Sequence, residues 1–158
     1  MDSPTSDPLV ARVDGCPGGI PGGISVATLD AKPGLKILMV EDDEADAFLV
    51  KRALLSNVRV GEIRHVRDGV EALELIDNHQ FRPDLALIDL QLPCKDGFSL
   101  LRDLGSRDEA DFPAVVLTTS RAREDRWRSH KRGAVQFVTK PNTMEKMTMA
   151  LGEVIARI

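Results

Sequence analysis

The chain has 158 residues, 25 of them acidic and 21 basic, for a formal net charge of −4. That length suits one domain with one core, and the mild acidity argues against a nucleic-acid binder that works through a bulk basic field. No apolar run approaches the roughly 18 residues of a membrane span, and no secretory signal is readable, so a soluble cytoplasmic protein is expected. Cys16 and Cys94 lie far apart without Cys or His at ligand spacing, which excludes a disulfide scaffold and a zinc site.

Residues 1–34 hold six of the 12 glycines and five of the nine prolines. Such a stretch buries too little apolar surface to offset its ordering entropy, and it reads as a flexible tail ahead of a domain over 35–158. Leu35–Val40 (LKILMV) is a short apolar run, as in a strand buried on both faces of a parallel sheet. A helix over Ala45–Ser56 follows, with apolar residues at Ala45, Phe48, Leu49 and Leu55. Ile63–Val66 is a second strand. Asp68-Gly69 opens a helix that aligns Val70, Leu73 and Ile76. Leu85–Ile88 is a third strand, leading through Pro93 and Asp96-Gly97 to a helix through Phe98, Leu101 and Leu104. Ala114–Leu117 is a fourth strand, residues 122–132 a weak helix, and Val135–Val138 a fifth strand. In the last helix Asn142 as N-cap and Glu145 three residues on make a capping-box-like start. Met144, Met147, Leu151, Val154, Ile155 and Ile158 then follow at helical spacing.

Five strands alternating with five helices predict an α/β fold: a doubly wound parallel sheet with helices on both faces. In such sheets chemistry sits outside the carboxyl ends of the strands. After the first strand comes Glu41-Asp42-Asp43-Glu44-Ala45-Asp46, five acids in six residues. Asp89 follows the third strand, Thr118, Thr119 and Ser120 the fourth, and Lys140-Pro141 the fifth. Glu41, Asp42 and Asp89 are expected to converge. Their mutual repulsion is relieved by a hard divalent cation, and all-oxygen ligands favour Mg2+ or Mn2+. Asp43, Glu44 and Asp46 read instead as a solvated helix start. A lysine at a neighbouring strand end pairs with a carboxylate or binds a phosphoryl group, and Thr118 offers a hydroxyl. Together these groups suit phosphoryl transfer to Asp89.

The segments KILMVEDDEAD, DGVEALELI, DLALIDLQLPCKDG, VVLTTS and GAVQFVTKP resemble, in order and spacing, the receiver domain of two-component response regulators. The similarity covers Leu35 to Ile158. The LPCKDG loop and the TTS triplet are most similar to small, chemotaxis-receiver-like regulators paired with bacteriophytochrome-type histidine kinases. The resemblance implies strand order 2-1-3-4-5, Asp89 as phosphoacceptor, and Mg2+ held by Glu41, Asp42, Asp89 and the backbone carbonyl of Gln91. It implies that Thr118 and Lys140 grip the phosphoryl oxygens and that Phe137 is the aromatic switch, here without a hydroxyl. Gln91 and Ser120 fall where side chains influence hydrolysis of the acyl phosphate.

The fourth helix departs from the family pattern. Arg121, Arg123, Arg126, Arg128, Lys131 and Arg132 crowd there against only Glu124 and Asp125, and the apparent core face is reduced to Ala122, Trp127 and His130. Two readings stay open. One is a mobile basic helix whose Arg123, Arg126, Trp127 and Arg128 face a partner; in the other, arginine stems lie over apolar surface and Trp127 is packed. His65, His79 and His130 have no ligand spacing. The acids after the first strand argue against a flavodoxin-like cofactor site, and Gln91, where a second aspartate would stand, argues against a dehalogenase-type phosphatase.

The expectation is a stand-alone regulator with no output module after the last helix. It would be phosphorylated by a histidine kinase or phosphotransfer protein and would signal by protein contact, with homodimerisation possible and no nucleic-acid or membrane partner. It would be no conventional enzyme, only turning over its own acyl phosphate. The alternative is a docking module of the same fold that works without phosphorylation through the basic helix.

Overall fold

The computed structural model describes residues 34–108 and 110–158. The tail expected over residues 1–34 lies, apart from Gly34, outside the described residues. The elements run β1 Leu35–Val40, α1 Glu44–Leu55, β2 Val60–Val66, α2 Gly69–Asp77, β3 Leu85–Ile88, α3 Gly97–Gly105, β4 Ala114–Thr118, α4 Arg123–Lys131, β5 Ala134–Thr139 and α5 Met144–Ala156. All strand pairs are parallel, in the order β2-β1-β3-β4-β5.

Alternation along the inner strands feeds two cores. Ile37 and Met39 of β1, with Leu85, Leu87, Val115 and Leu117, pack under α1 and α5. Leu38 and Val40, with Ala86, Ile88 and Val116, pack under α2 and α3. A strand buried on both faces has no polar alternate positions, which is why the runs ILMV of β1 and LALI of β3 read so clearly. β2 begins three residues before the expected Ile63, because at a sheet edge Val60 and Glu62 pair with Leu35 and Lys36 of β1, with Gly61 at a register shift between them, while staying partly or fully exposed.

The helix faces depart further from expectation. α1 buries Ala47, Val50, Ala53 and Leu54, and turns the expected apolar positions Ala45, Phe48, Leu49 and Leu55 outward, with Phe48 61% exposed. Asp43 caps the helix and sets its phase, and two alanines on the inner face allow close packing of α1 beside α5. In α2 the inner residues are Ala72, Leu73 and Ile76, while Val70 is exposed. In α3 Leu100 joins Leu101 and Leu104, and Phe98 packs at the margin. The cap of α5 is Thr143, not Asn142: Thr143 is extended and its hydroxyl accepts from the Lys146 N–H at 3.3 Å. Glu145 is then one position too early for a capping box.

Expected as a weak helix, α4 is a continuous nine-residue one. Its expected core face is wrong. Ala122 is the N-cap, Trp127 is 62% exposed and His130 is exposed. The helix is anchored by Ser129, fully buried, whose hydroxyl donates to the Asp125 carbonyl at 2.7 Å. It ends at Gly133, whose φ of +97° is favourable only for glycine.

Candidate functional site

Glu41, Asp42, Asp89, Thr118 and Lys140 gather at the carboxyl edge of the sheet. The Glu41 N–H donates to the Val66 carbonyl at 3.0 Å, and the Asp89 N–H to the Val40 carbonyl at 3.1 Å, so both acids stand directly on the ends of their strands. Gly97 completes the floor beneath Asp89. Its N–H donates to the Leu90 carbonyl at 3.1 Å, and a Cβ there would lie 2.2 Å from the Asp89 carbonyl oxygen. Thr118 closes β4, fully buried, and its carbonyl accepts from the Lys140 N–H at 2.7 Å.

The Lys140 ammonium is the hub. It donates to Glu41 Oε2 at 2.5 Å, Asp46 Oδ2 at 2.7 Å and Asp89 Oδ2 at 3.0 Å. Burial alone would lower its pKa, but hydrogen bonds to Asp46 and Glu41 and the charges of Asp89 and Glu41 outweigh that and hold it above the ordinary lysine range. Burial raises the pKa of Glu41, and the Lys140 hydrogen bond only partly offsets it. One ammonium does not balance the carboxylates that surround it.

That deficit fits a divalent cation. Glu41, Asp42 and Asp89 each present a carboxylate oxygen, and these oxygens lie within 4.8 Å of one another, with Glu41 and Asp89 buried and Asp42 exposed. Among the described residues no other cluster of this kind occurs. A purely oxygen donor set suits a hard ion and not zinc or copper.

The remaining predicted residues lie around this cluster in sequence, with partners of their own. The Gln91 N–H donates to Asp89 Oδ1 at 3.3 Å, and Gln91 itself is exposed. The Ser120 N–H donates to Thr118 Oγ1 at 3.4 Å, but the Ser120 hydroxyl donates to Asp125 at 2.6 Å and accepts from the Ala122 N–H at 3.2 Å. It therefore ties down the start of α4, which lacks a side-chain cap of its own. Phe137 is buried, and the Arg126 guanidinium lies 5.1 Å over its ring. Arg128 and Arg132 lie 4.1 Å and 5.5 Å over Phe98. These arginines therefore cover apolar surface, Arg123 stays exposed, and Trp127, expected to be packed in that reading, faces outward.

Asp46 was missed. It reads as a solvated helix start because acids are common in a first turn, and only the fold brings it to Lys140, 94 positions away.

The family model of the response regulator receiver domain matches residues 37–152. The chain belongs to the response regulator receiver family. The "Probable methanogenesis regulatory protein FilR2" of Methanothrix harundinacea (strain 6Ac) is 32% identical over 131 residues, covering 80% of this chain and 84% of that one. Other relatives are longer: the chain spans 51% of the response regulator MprA of Mycobacterium ulcerans (strain Agy99), at 33% identity. The phosphorylated cyanobacterial phytochrome response regulator RcpA superposes with a TM-score of 0.71 at 32% identity, over 77% of this chain and 91% of RcpA. The Mn2+-bound response regulator Rcp1 gives 0.69 at 30%, over 76% and 91%. This receiver thus shares its architecture with phytochrome-associated regulators, and its acidic cluster fits a divalent metal site.

Proposed function

We propose that this receiver accepts a phosphoryl group on Asp89 from a histidine kinase or histidine phosphotransfer protein, with Mg2+ in the carboxylate cluster. The observation that carries this reading is the Lys140 ammonium joined to both Glu41 and Asp89, while Glu41, Asp42 and Asp89 present oxygens within 4.8 Å of one another. A carboxylate oxygen of Asp89 attacks phosphorus, the bond from phosphorus to the donor's imidazole nitrogen breaks, and that nitrogen keeps the electron pair. Glu41, Asp42 and Asp89, with the Gln91 carbonyl, would hold the divalent cation, which would supply charge neutralisation on the transferring oxygens. Lys140 and the Thr118 hydroxyl then hold two of those oxygens on the product. The signal leaves by protein contact, with the basic α4 surface and Trp127 as the partner face. The protein acts in the cytoplasm and hydrolyses its own acyl phosphate without other enzymatic activity.

The second reading, a docking module indifferent to phosphorylation, is favoured by one observation: six basic residues gather around α4. Intact mass after incubation with acetyl phosphate and Mg2+ separates the two. A Mg2+-dependent phosphate adduct on wild type and none on Asp89→Ala is expected. Lack of both an adduct and beryllofluoride binding by wild type would favour the docking module.

A further inference from the structure

An acid in the first turn of a helix is ordinarily accounted for by the helix dipole and solvent. Asp46 has a second attachment. Its N–H is fixed by the Asp43 side chain at 2.8 Å, and its own Oδ2 accepts from Lys140 Nζ at 2.7 Å. Among the described carboxylates bound to Lys140, it alone lies outside the Glu41, Asp42 and Asp89 cluster.

An ammonium has three N–H groups, and the three carboxylates Glu41, Asp46 and Asp89 match that number. Two of those carboxylates are the ones a divalent cation needs. When an ion takes their oxygens it withdraws acceptors from Lys140 and repels its charge. The Lys140 side chain is 4% exposed, so water does not replace them without the side chain leaving its buried place. Asp46 remains.

We infer that Asp46 is a positioning residue that anchors Lys140 while Glu41 and Asp89 turn to the metal, so that ammonium and ion occupy the site together. The inference rests on the phosphoacceptor reading, because it takes the carboxylate cluster to hold a divalent cation. With Asp46 as tether, Lys140 keeps its aim across the sheet edge and its remaining N–H groups are available to oxygens on Asp89.

The direction of the effect follows. Without Asp46 every charged acceptor of Lys140 among the described residues belongs to the metal cluster, so ammonium and ion compete for the same carboxylates. Asp46→Asn therefore weakens metal binding by more than the loss of one nearby negative charge. Glu44→Gln measures that simpler loss, since Glu44 belongs to the same turn of α1 and pairs with Arg67 and not with Lys140.

The experiment is Mn2+ titration of the full chain, reading the free ion by electron paramagnetic resonance. Wild type, Asp46→Asn, Glu44→Gln, Lys140→Gln and the double variant Asp46→Asn/Lys140→Gln are compared, with folding checked by circular dichroism. The Kd rises about fivefold or more in Asp46→Asn, as for a modest coupling between two sites. In Glu44→Gln, a screened exposed acid, it rises less than about twofold. In the Lys140→Gln background Asp46→Asn has only the smaller effect. Asp46→Ser serves as a second variant and shows the same ordering. Equal effects of Asp46→Asn and Glu44→Gln, or a full Asp46 effect without Lys140, would overturn the inference while leaving the phosphoacceptor reading intact. No Mn2+ binding by wild type would overturn both.

Discussion

The contact between the start of α3 and the end of β3 can be tested by one substitution made at two places. Gly97→Ala adds a Cβ 2.2 Å from the Asp89 carbonyl oxygen, 2.7 Å from Leu90 Cα and 3.0 Å from the Asp89 carbonyl carbon. All three are backbone atoms, so no side chain can swing away, and either α3 or the strand end must shift. Overpacking of this kind costs about 1–3 kcal/mol, and backbone obstruction places it at the upper end. Alanine recovers roughly 0.5–1 kcal/mol by restricting the unfolded chain, leaving a net loss of about 2 kcal/mol. Gly152 in α5 is the control, because a Cβ there meets nothing within 4 Å. Gly152→Ala should therefore stabilise by about 0.5–1 kcal/mol. The assay is urea unfolding followed by circular dichroism, comparing midpoints at unchanged slope, with a melting temperature for Gly97→Ala about 4–8 °C below wild type. Because the atoms that move carry Asp89, beryllofluoride binding should weaken in Gly97→Ala and not in Gly152→Ala. A Gly97→Ala midpoint at or above wild type would refute the view that this contact positions Asp89.

Lys140→Met leaves Glu41 and Asp89 buried without their cation and should destabilise the metal-free protein by about 3 kcal/mol, with millimolar Mg2+ restoring part of it in thermal melts. No Mg2+ rescue would refute the idea that the same carboxylates hold the ion. Asp96 caps α3, and its backbone hydrogen bond from Ser99 lowers its pKa, so Asp96→Ala should cost about 1 kcal/mol near neutral pH. Because the folded pKa is depressed, that contribution is fully present above the unfolded carboxylate value of about 4 and disappears as pH falls through the folded one. The stability difference between wild type and Asp96→Ala should accordingly shrink in acid, as read by urea midpoints across pH. Arg126→Met and Phe137→Leu, alone and together, should show a coupling of about 0.5–1 kcal/mol from the cation over the ring, and additive losses would exclude that contact.

The linear chain by itself determined the order of elements and which polar residues stand at the strand ends. Strands buried on both faces leave unbroken apolar runs, and the parallel architecture puts chemistry where those runs stop. Hence Glu41, Asp42, Asp89, Thr118 and Lys140 were legible before any coordinate. Family motifs supplied the strand order. What stayed hidden depended on side-chain reach and helix phase. α1 carries apolar residues nearly all round, so spacing did not say which face is inward; the cap at Asp43 and the packing of α5 did. α4 has almost no apolar residues to count, and its anchors are a buried serine and arginines lying over Phe98 and Phe137. Ser120 and Asp46 look alike as polar residues near a strand end. One hydroxyl turned to Asp125 and one carboxylate turned to Lys140 because of where neighbouring elements place their atoms. A local pattern records which residues are polar, but which charge a long flexible ammonium finds is decided only when distant strand ends are brought within about 3 Å of one another.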